Sequence, residues 1–528
     1  MRSVKTIKSY HLIILVAIFF ICFDNIRFFS NMLEVYPLNY KNSGFLFSIA
    51  WGFTGVIILL LSLVCFKHTI KPVIIFILLL SSFASYFMDS YNTVIDDSMI
   101  DNILSTDIAE SLDLLSLKLI LYVTFLGGLP SYLVYKTKLS FGTSWQESIS
   151  RIKLFGFTLL SILAAVFIYS DFYSSFIREH KPLRFYANPS YYVYSTGKYI
   201  GSLFKESGLA FKPIGLDAYT PKQNVDRELI VFVVGETARA DRFSLNGYKR
   251  ETNPLLKKEK IVSFTNFWSC GTSTAVSVPC MFSKYTASNY KKSKALSTEN
   301  VLDVLNRAGV NVLWLDNNSN SKGVADRVSY QSFRHAETNP ICDTECRDEG
   351  MLVNLQQYID GHKQGDILIV LHQMGQHGPA YYKRYPAEFE KFTPACKTNQ
   401  LEDCSQEEIN NAYDNAILYT DYFLSKVIGF LKKNAAFEAA MFYVSDHGES
   451  LGENGLYLHG LPNFIAPDTQ RHVPAVMWLG KNYNDMDIKS LLKKQNRKYS
   501  HDNVFHTLLG FMEVDTSVYD KKMDILQN

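Results

Sequence analysis

The sequence predicts an α-helical membrane domain of five transmembrane helices, joined to an α/β soluble domain with a mainly parallel sheet. Three observations carry that expectation. Apolar, aromatic stretches of about 20 residues, the length that crosses a hydrocarbon core, recur through the first third of the chain. Beyond Glu228, short continuous apolar runs alternate with helical patterns, as in a parallel sheet covered on both faces. All six cysteines outside the apolar third stand in close pairs, as in a protein made for an oxidising compartment.

The apolar stretches run approximately over 11–29, 44–66, 70–88, 118–136 and 154–172. The first reads as a span and not a cleaved leader, because it lacks a small-residue cleavage site and further spans follow it. Arg2, Lys5 and Lys8 precede the first span, Lys67 and Lys71 follow the second, and Lys136, Lys138, Arg151 and Lys153 follow the fourth. The positive-inside rule makes that side cytoplasmic, so an odd number of spans leaves the remaining chain outside, in the periplasm of a Gram-negative cell. The loop between the third and fourth spans is acidic. Within it Asn102, Thr106 and Glu110 recur at helical spacing, which gives one polar face. That face suits a lipid headgroup or plain solvation.

The chain has 528 residues, with 53 Lys+Arg against 51 Asp+Glu and a formal net charge of +2. This near balance, without a long basic run, gives no footprint for nucleic acid. Cys22 and Cys65 lie in apolar stretches as small core residues. The pairs Cys270/Cys280, Cys342/Cys346 and Cys396/Cys404 suggest three local disulfides. A zinc knot is the weaker alternative, since no His stands at finger spacing.

The domain boundaries read as 1–179 for the membrane domain with its periplasmic loop, 180–227 for a linker, and 228–528 for the catalytic domain. Pro182, Pro189, Pro213 and Pro221 punctuate the linker. Between them Tyr191, Tyr192, Tyr194, Tyr199, Phe204, Lys198 and Lys205 pattern a short amphipathic helix, suited to the headgroup level or to packing on the domain.

In the soluble domain, strands are expected at Leu229–Val234, Val310–Leu315, Ile367–Leu371, Met441–Val444 and Val473–Trp478, with helices such as Asn300–Ala308 and Ile409–Lys433. Active sites of such sheets lie beyond the carboxyl ends of the strands. Glu236 stands just past the first strand, and Asp446 and His447 just past the fourth, with Gly448 expected to permit a turn. Mixed oxygen and nitrogen ligands with one open position fit a catalytic zinc site. The Cys270–Cys280 segment adds the hydroxyls Thr272, Ser273, Thr274 and Ser277, among which the residues alone do not choose. His372, His377, Lys322 and His459 also follow strands or turns, where they can clamp a phosphate, bind a second zinc or protonate a leaving oxygen.

The segments VVGETARADRFSLNGY, SCGTSTAVSVPCMFS, DNNSNSKGV, HQMGQHGPAYYKRY and YVSDHGESLGENGLYLHG resemble the lipid A phosphoethanolamine transferases, both intrinsic and of the mobile colistin-resistance type. The wider superfamily resembles alkaline phosphatase and the sulfatases. The resemblance implies an alkaline phosphatase-like catalytic domain with Thr274 as the nucleophile that carries phosphoethanolamine. It implies Glu236, Thr274, Asp446 and His447 as zinc ligands. Lys322, His377 and His459 then match substrate-pocket residues, the two His with a possible second zinc, and Asn102, Thr106 and Glu110 match a substrate-binding group. The implied donor is phosphatidylethanolamine, the implied acceptor lipid A, and the chain is expected to act as a monomer in the inner membrane, conferring polymyxin resistance. Transfer to another acceptor (a lipopolysaccharide core sugar, a glycan or a protein) and an inactive membrane-anchored sensor are the alternatives. A sulfatase is disfavoured because no Cys/Ser-x-Pro-x-Arg segment occupies the nucleophile position.

Overall fold

The computed structural model describes residues 6–106, 108–206, 210–221, 226–483 and 486–527, with backbone alone at 105, 108–110 and 205–206. The chain divides into two compact units, one of residues 1–100 and 115–200, the other of residues 101–114 and 201–528.

In the first unit, Tyr40–Val64, Ile70–Tyr91, Leu117–Lys136 and Ser144–Ile168 are each long and apolar enough to cross a membrane. The expected first span is a bent pair, Ser9–Phe23 and Ile26–Val35, with a 58° change of direction. The break falls at Asp24 and Asn25, where side-chain polarity interrupts the apolar run. The last span begins at Ser144, ahead of the expected 154, because Thr143 and Gln146 form a capping box that starts the helix before its apolar part. Small residues let helices approach. A Cβ on Gly55 would meet Ile162 at 2.9 Å, and one on Gly44 would meet the Tyr169 hydroxyl at 2.2 Å.

Backbone groups freed at the bent pair are bonded by buried side chains, as an apolar surrounding demands. Asn188 Nδ2 donates to the Asp24 carbonyl at 3.1 Å, the Ser81 carbonyl at 3.0 Å and Ser85 Oγ at 2.9 Å, while Asn25 Nδ2 donates to the Asn188 carbonyl at 2.6 Å. The Tyr-rich segment forms the helix Ser190–Glu206. Tyr192 is buried with its hydroxyl 3.2 Å from Ser81 Oγ, whereas Tyr194 and Phe204 are exposed. The side chain of Lys205 lies outside the described residues.

The second unit is built on an eight-stranded sheet. Its strands are β1 (Glu228–Gly235), β2 (Ile261–Trp268), β3 (Asn311–Asp316), β4 (Ser329–Ser332), β5 (Ile367–His372), β6 (Glu438–Ser445), β7 (His472–Leu479) and β8 (Tyr499–Ser500). The order is β8-β2-β7-β6-β1-β5-β3-β4. Every neighbouring pair is parallel except the two that involve β7. The mainly parallel sheet is therefore present, with one reversed strand that an apolar run alone does not distinguish.

The five expected strands all form. Strand β2 went unread because its sequence, IVSFTNFW, mixes polar residues into a half-buried surface. Both faces of β1 are buried, and alternate residues enter different cores. Ile230, Phe232 and Val234 join one core with Phe282, Trp314 and Phe442. Leu229, Val231 and Val233 join the other with Tyr413, Ile417 and Phe423 of the Gln406–Lys433 helix. The cysteine pairs Cys270–Cys280, Cys342–Cys346 and Cys396–Cys404 are disulfides.

Phe232 sits mid-strand between the rings of Phe282 and Phe442, each at 5.5 Å between centroids. Phe232→Ala is expected to cost about 3–5 kcal/mol of stability, as truncation of a buried Phe does. Denaturant unfolding of the purified protein checks it, and a loss below about 1 kcal/mol would mean that this core collapses around the gap.

Candidate active site

The parallel strands deliver their carboxyl ends to one edge, and the chemistry-bearing residues follow those ends. Glu236 follows β1, Asn318 to Lys322 follow β3, His377 follows β5, and Asp446 and His447 follow β6. Thr274 is the first residue of the Thr274–Met281 helix, reached from β2. The disulfide Cys270–Cys280 ties the loop before that helix to its last turn.

Ligand atoms of Glu236, Asp446 and His447 all lie within 4.8 Å of one another, and the three residues are fully buried. His447 Nε2 is 3.4 Å from Glu236 Oε1 and 3.3 Å from Asp446 Oδ2. Thr274 Oγ1 stands 3.2 Å from Glu236 Oε2 and 3.4 Å from His447 Nε2.

The outer bonds of these groups decide what the inner atoms offer. His447 Nδ1 lies 2.9 Å from the Gly448 carbonyl, so the proton is assigned to Nδ1 and the Nε2 lone pair faces the carboxylates. Burial lowers the His447 pKa to about 3, which keeps the ring neutral at pH 7. Asp446 Oδ1 accepts from the amides of Thr237 at 3.1 Å and His447 at 2.6 Å, while its Oδ2 is buried with no hydrogen-bond partner. Burial, and after it the nearby Glu236 charge, push the Asp446 carboxyl far above the carboxylate range. Two carboxylates and an imidazole lone pair aimed at one buried point form an arrangement that a divalent cation stabilises and that is otherwise repulsive. The donor set therefore fits a metal ion.

A small open cavity beside Thr274 is lined by Asn102, Thr106, Ser273, Ser319, Lys322, His377 and His459. Lys322 Nζ donates to Ser319 Oγ at 2.7 Å. His459 Nδ1 lies 3.1 Å from Glu449 Oε1, and its ring centroid lies 4.3 Å from that of His447 and 5.7 Å from that of His377. His372 does not line this cavity. It is a buried strand residue whose Nδ1 lies 3.0 Å from Asp316 Oδ2, beside the Trp314 indole that donates to the same oxygen at 2.7 Å.

Gly448 permits the turn after β6 through space and not through a left-handed backbone, because a Cβ there would clash with the Thr469 carbonyl oxygen. Gly375 does need positive φ (52°), and a Cβ on it would lie 2.6 Å from the Glu236 carbonyl oxygen.

Sequence reasoning missed Thr237, Asn318, Glu449 and His501. The first three sit inside motifs that were singled out. His501 has no local signal: it accepts from the Cys270 amide at 3.2 Å and lies 3.0 Å from the Ser445 carbonyl, linking the Cys270–Cys280 loop to the end of β6.

The chain is 44% identical over 522 residues to phosphatidylethanolamine transferase Mcr-2 of Escherichia coli, covering 96% of both chains. It belongs to the phosphoethanolamine transferase family. It is also 42% identical to phosphoethanolamine transferase EptA of Escherichia coli strain K12, over 95% of this chain and 94% of that one. The full-length lipooligosaccharide phosphoethanolamine transferase A of Neisseria meningitidis superposes with a TM-score of 0.95 at 35% identity, covering 99% of each chain. The phosphoethanolamine transferase EptA/EptB family model matches residues 53–203, and the sulfatase model, which describes the alkaline phosphatase-like fold, matches 228–514. This phosphoethanolamine transferase family member is thus a multi-pass protein of the bacterial inner membrane with its soluble domain in the periplasm.

In this family member, residues 101–114 form part of the same compact unit as the sheet. Asp101 pairs with Lys292 at one end of the segment. At the other, Asp113 pairs with Lys383 at 2.5 Å and Arg384 at 2.8 Å, and Asn399 donates to its carbonyl. Burial opposes ionisation of Asp113, but Arg384 and Lys383 outweigh it and hold the carboxyl below its usual value. Thr106 Oγ1 donates to the Asn102 carbonyl at 2.7 Å, and the side chain of Glu110 lies outside the described residues. Asp113→Ala is expected to open segment 101–114 to limited proteolysis, mapped by mass spectrometry. Unchanged protection would show that the ion pairs do not hold it.

Proposed function

We propose that this chain transfers phosphoethanolamine from phosphatidylethanolamine to a lipid A phosphate through a covalent intermediate on Thr274. The observation that carries the reading is Thr274 Oγ1 at the first turn of a helix, in reach of Glu236 and His447 and open to a polar cavity. Glu236, Thr274, Asp446 and His447 would hold zinc, which such mixed oxygen and nitrogen donors suit. When bound, zinc supplies the positive charge that lowers the pKa of a hydroxyl and neutralises phosphoryl oxygens.

The Thr274 hydroxyl oxygen forms a bond to the phosphorus of phosphatidylethanolamine, and the bond to the diacylglycerol oxygen breaks. His377 and His459 line the cavity and are the groups to pass a proton to that leaving oxygen. A phosphate oxygen of lipid A then bonds to the same phosphorus, and Thr274 leaves. Lys322 and the amides at the helix start bear on the negative charge of the transferred group. His377 and His459 also remain candidates for a second zinc. Asn102, Thr106 and Glu110 would contact the lipid headgroup. The product carries an ammonium beside a lipid A phosphate, which weakens the attraction of polymyxins and other cationic peptides.

The relatives support the donor and the acceptor class. One is named as a phosphatidylethanolamine transferase. A more distant one, 28% identical over 82% of this chain, is the Kdo(2)-lipid A phosphoethanolamine 7''-transferase of Escherichia coli strain K12. The latter keeps an acceptor on the lipopolysaccharide core sugar as a second reading. Mass analysis of lipid A and core from a host expressing the chain separates the two by the site of the added group.

Thr274→Ala is expected to abolish the addition and Thr274→Ser to retain part of it, both read by mass spectrometry of the host lipid A. Modification at the wild-type level by Thr274→Ala would remove the nucleophile assignment. A chelator is expected to stop release of diacylglycerol from labelled phosphatidylethanolamine, and added zinc to restore it. Turnover that survives complete metal removal would contradict the zinc role.

A further inference from the structure

Thr237 is fully buried and lies at φ 60°, in the left-handed region that a β-branched residue rarely enters. Such a conformation persists only where the surroundings over-determine it, and it clusters at functional sites. Here three hydrogen bonds impose it. The Thr237 amide donates to Asp446 Oδ1 at 3.1 Å, and its hydroxyl donates to Glu236 Oε1 at 2.5 Å. Its carbonyl accepts from the Tyr413 hydroxyl at 2.7 Å, and that hydroxyl oxygen accepts from the Arg239 amide at 3.0 Å.

One residue thus grips two carboxylates that arrive from different strands. The remaining Glu236 oxygen, Oε2, accepts from Asn318 Nδ2 at 2.9 Å. Asp446 Oδ2 is left without a hydrogen-bond partner, so the grip on Asp446 is one-sided and leaves that oxygen for an ion. Outer-shell donors of this kind orient ligands and set their affinity for metal.

We infer that Thr237 is the positioning residue of the metal centre, its strained backbone aiming one amide and one hydroxyl at the two carboxylate ligands. It acts through Glu236 and Asp446 and does not border the cavity beside Thr274. The inference rests on the zinc reading proposed above.

The test uses the full-length, detergent-solubilised protein stripped of metal. Zinc affinity is measured by competition with a chromophoric chelator, the cobalt-loaded absorption spectrum is recorded, and the rise in melting temperature on adding zinc is read for each variant. Thr237→Ser keeps the hydroxyl and is expected to bind zinc within about threefold of wild type. Thr237→Val keeps the shape without the hydroxyl, and Thr237→Gly adopts positive φ freely without the hydroxyl. Both are expected to lose about 10- to 100-fold in affinity, with a changed cobalt spectrum and a smaller zinc-induced rise in melting temperature. Wild-type affinity in Thr237→Val or Thr237→Gly would overturn the inference, as would a Thr237→Ser variant as weak as the other two. Should Thr237→Val fail to fold, the Ser and Gly variants still decide it. A wild-type protein that binds no zinc would overturn both this inference and the zinc reading, whereas tight wild-type binding with unaffected variants removes the Thr237 role alone.

Discussion

Glu236 and Asp446 face one another in a buried site, and the cost of holding two carboxyl groups together there governs the structure around it. Asp446 cannot stay ionised there cheaply, since burial and the Glu236 charge act on it in the same direction. The fold answers with donors around them: the Thr237 hydroxyl and the Asn318 side-chain amide on Glu236, the backbone amides of Thr237 and His447 on Asp446. Burial keeps the His447 ring neutral, and the Gly448 carbonyl fixes its proton on Nδ1. Asp446 Oδ2 is left without a hydrogen-bond partner, which suits a cation site.

That arrangement depends on sheet topology. β5, β1 and β6 are adjacent and parallel, so the loops after them converge without long excursions. Close approach of these loops explains the two glycines. Gly375 lets the loop after β5 pass over the Glu236 backbone, and Gly448 lets the turn after β6 pass under Thr469. Buried carboxylates further out hold the loops rather than the chemistry. Asp316 accepts from the Asn318 amide at 2.9 Å, and Asp348 accepts from the Met374 amide at 2.8 Å and from Asn317 Nδ2 at 2.8 Å.

The membrane unit obeys a different constraint. There the cost is an unbonded backbone group, not an unpaired charge. Asn188, Asn25 and Ser85 are buried because the bent first span exposes the carbonyls of Asp24 and Phe20, which side chains must bond. Glycines at Gly44 and Gly55 replace the hydrophobic drive that lipid cannot supply with close contact between helices.

Much of this was legible in the residues. The spans and the buried strands announce themselves through runs whose length and apolarity leave few alternatives. Glu236, Asp446 and His447 were legible because each ends such a run, and the cysteine pairs because their separations are short. The bend at Asp24 and Asn25 and the half-polar β2 were not, because polar residues break the apolar pattern there, and the reversed direction of β7 was not, because it is set by partners distant in sequence. Thr237 shows the limit most clearly. Its type and place beside Glu236 are plain in the sequence, yet its left-handed backbone and double grip exist only because Tyr413 and Asp446 come from elsewhere in the chain. The sequence by itself determined which groups this protein carries and the strand ends that present them. Only the tertiary structure decided which of those groups meet, because hydrogen bonds and charges act across a few ångströms of space, whatever the distance along the chain.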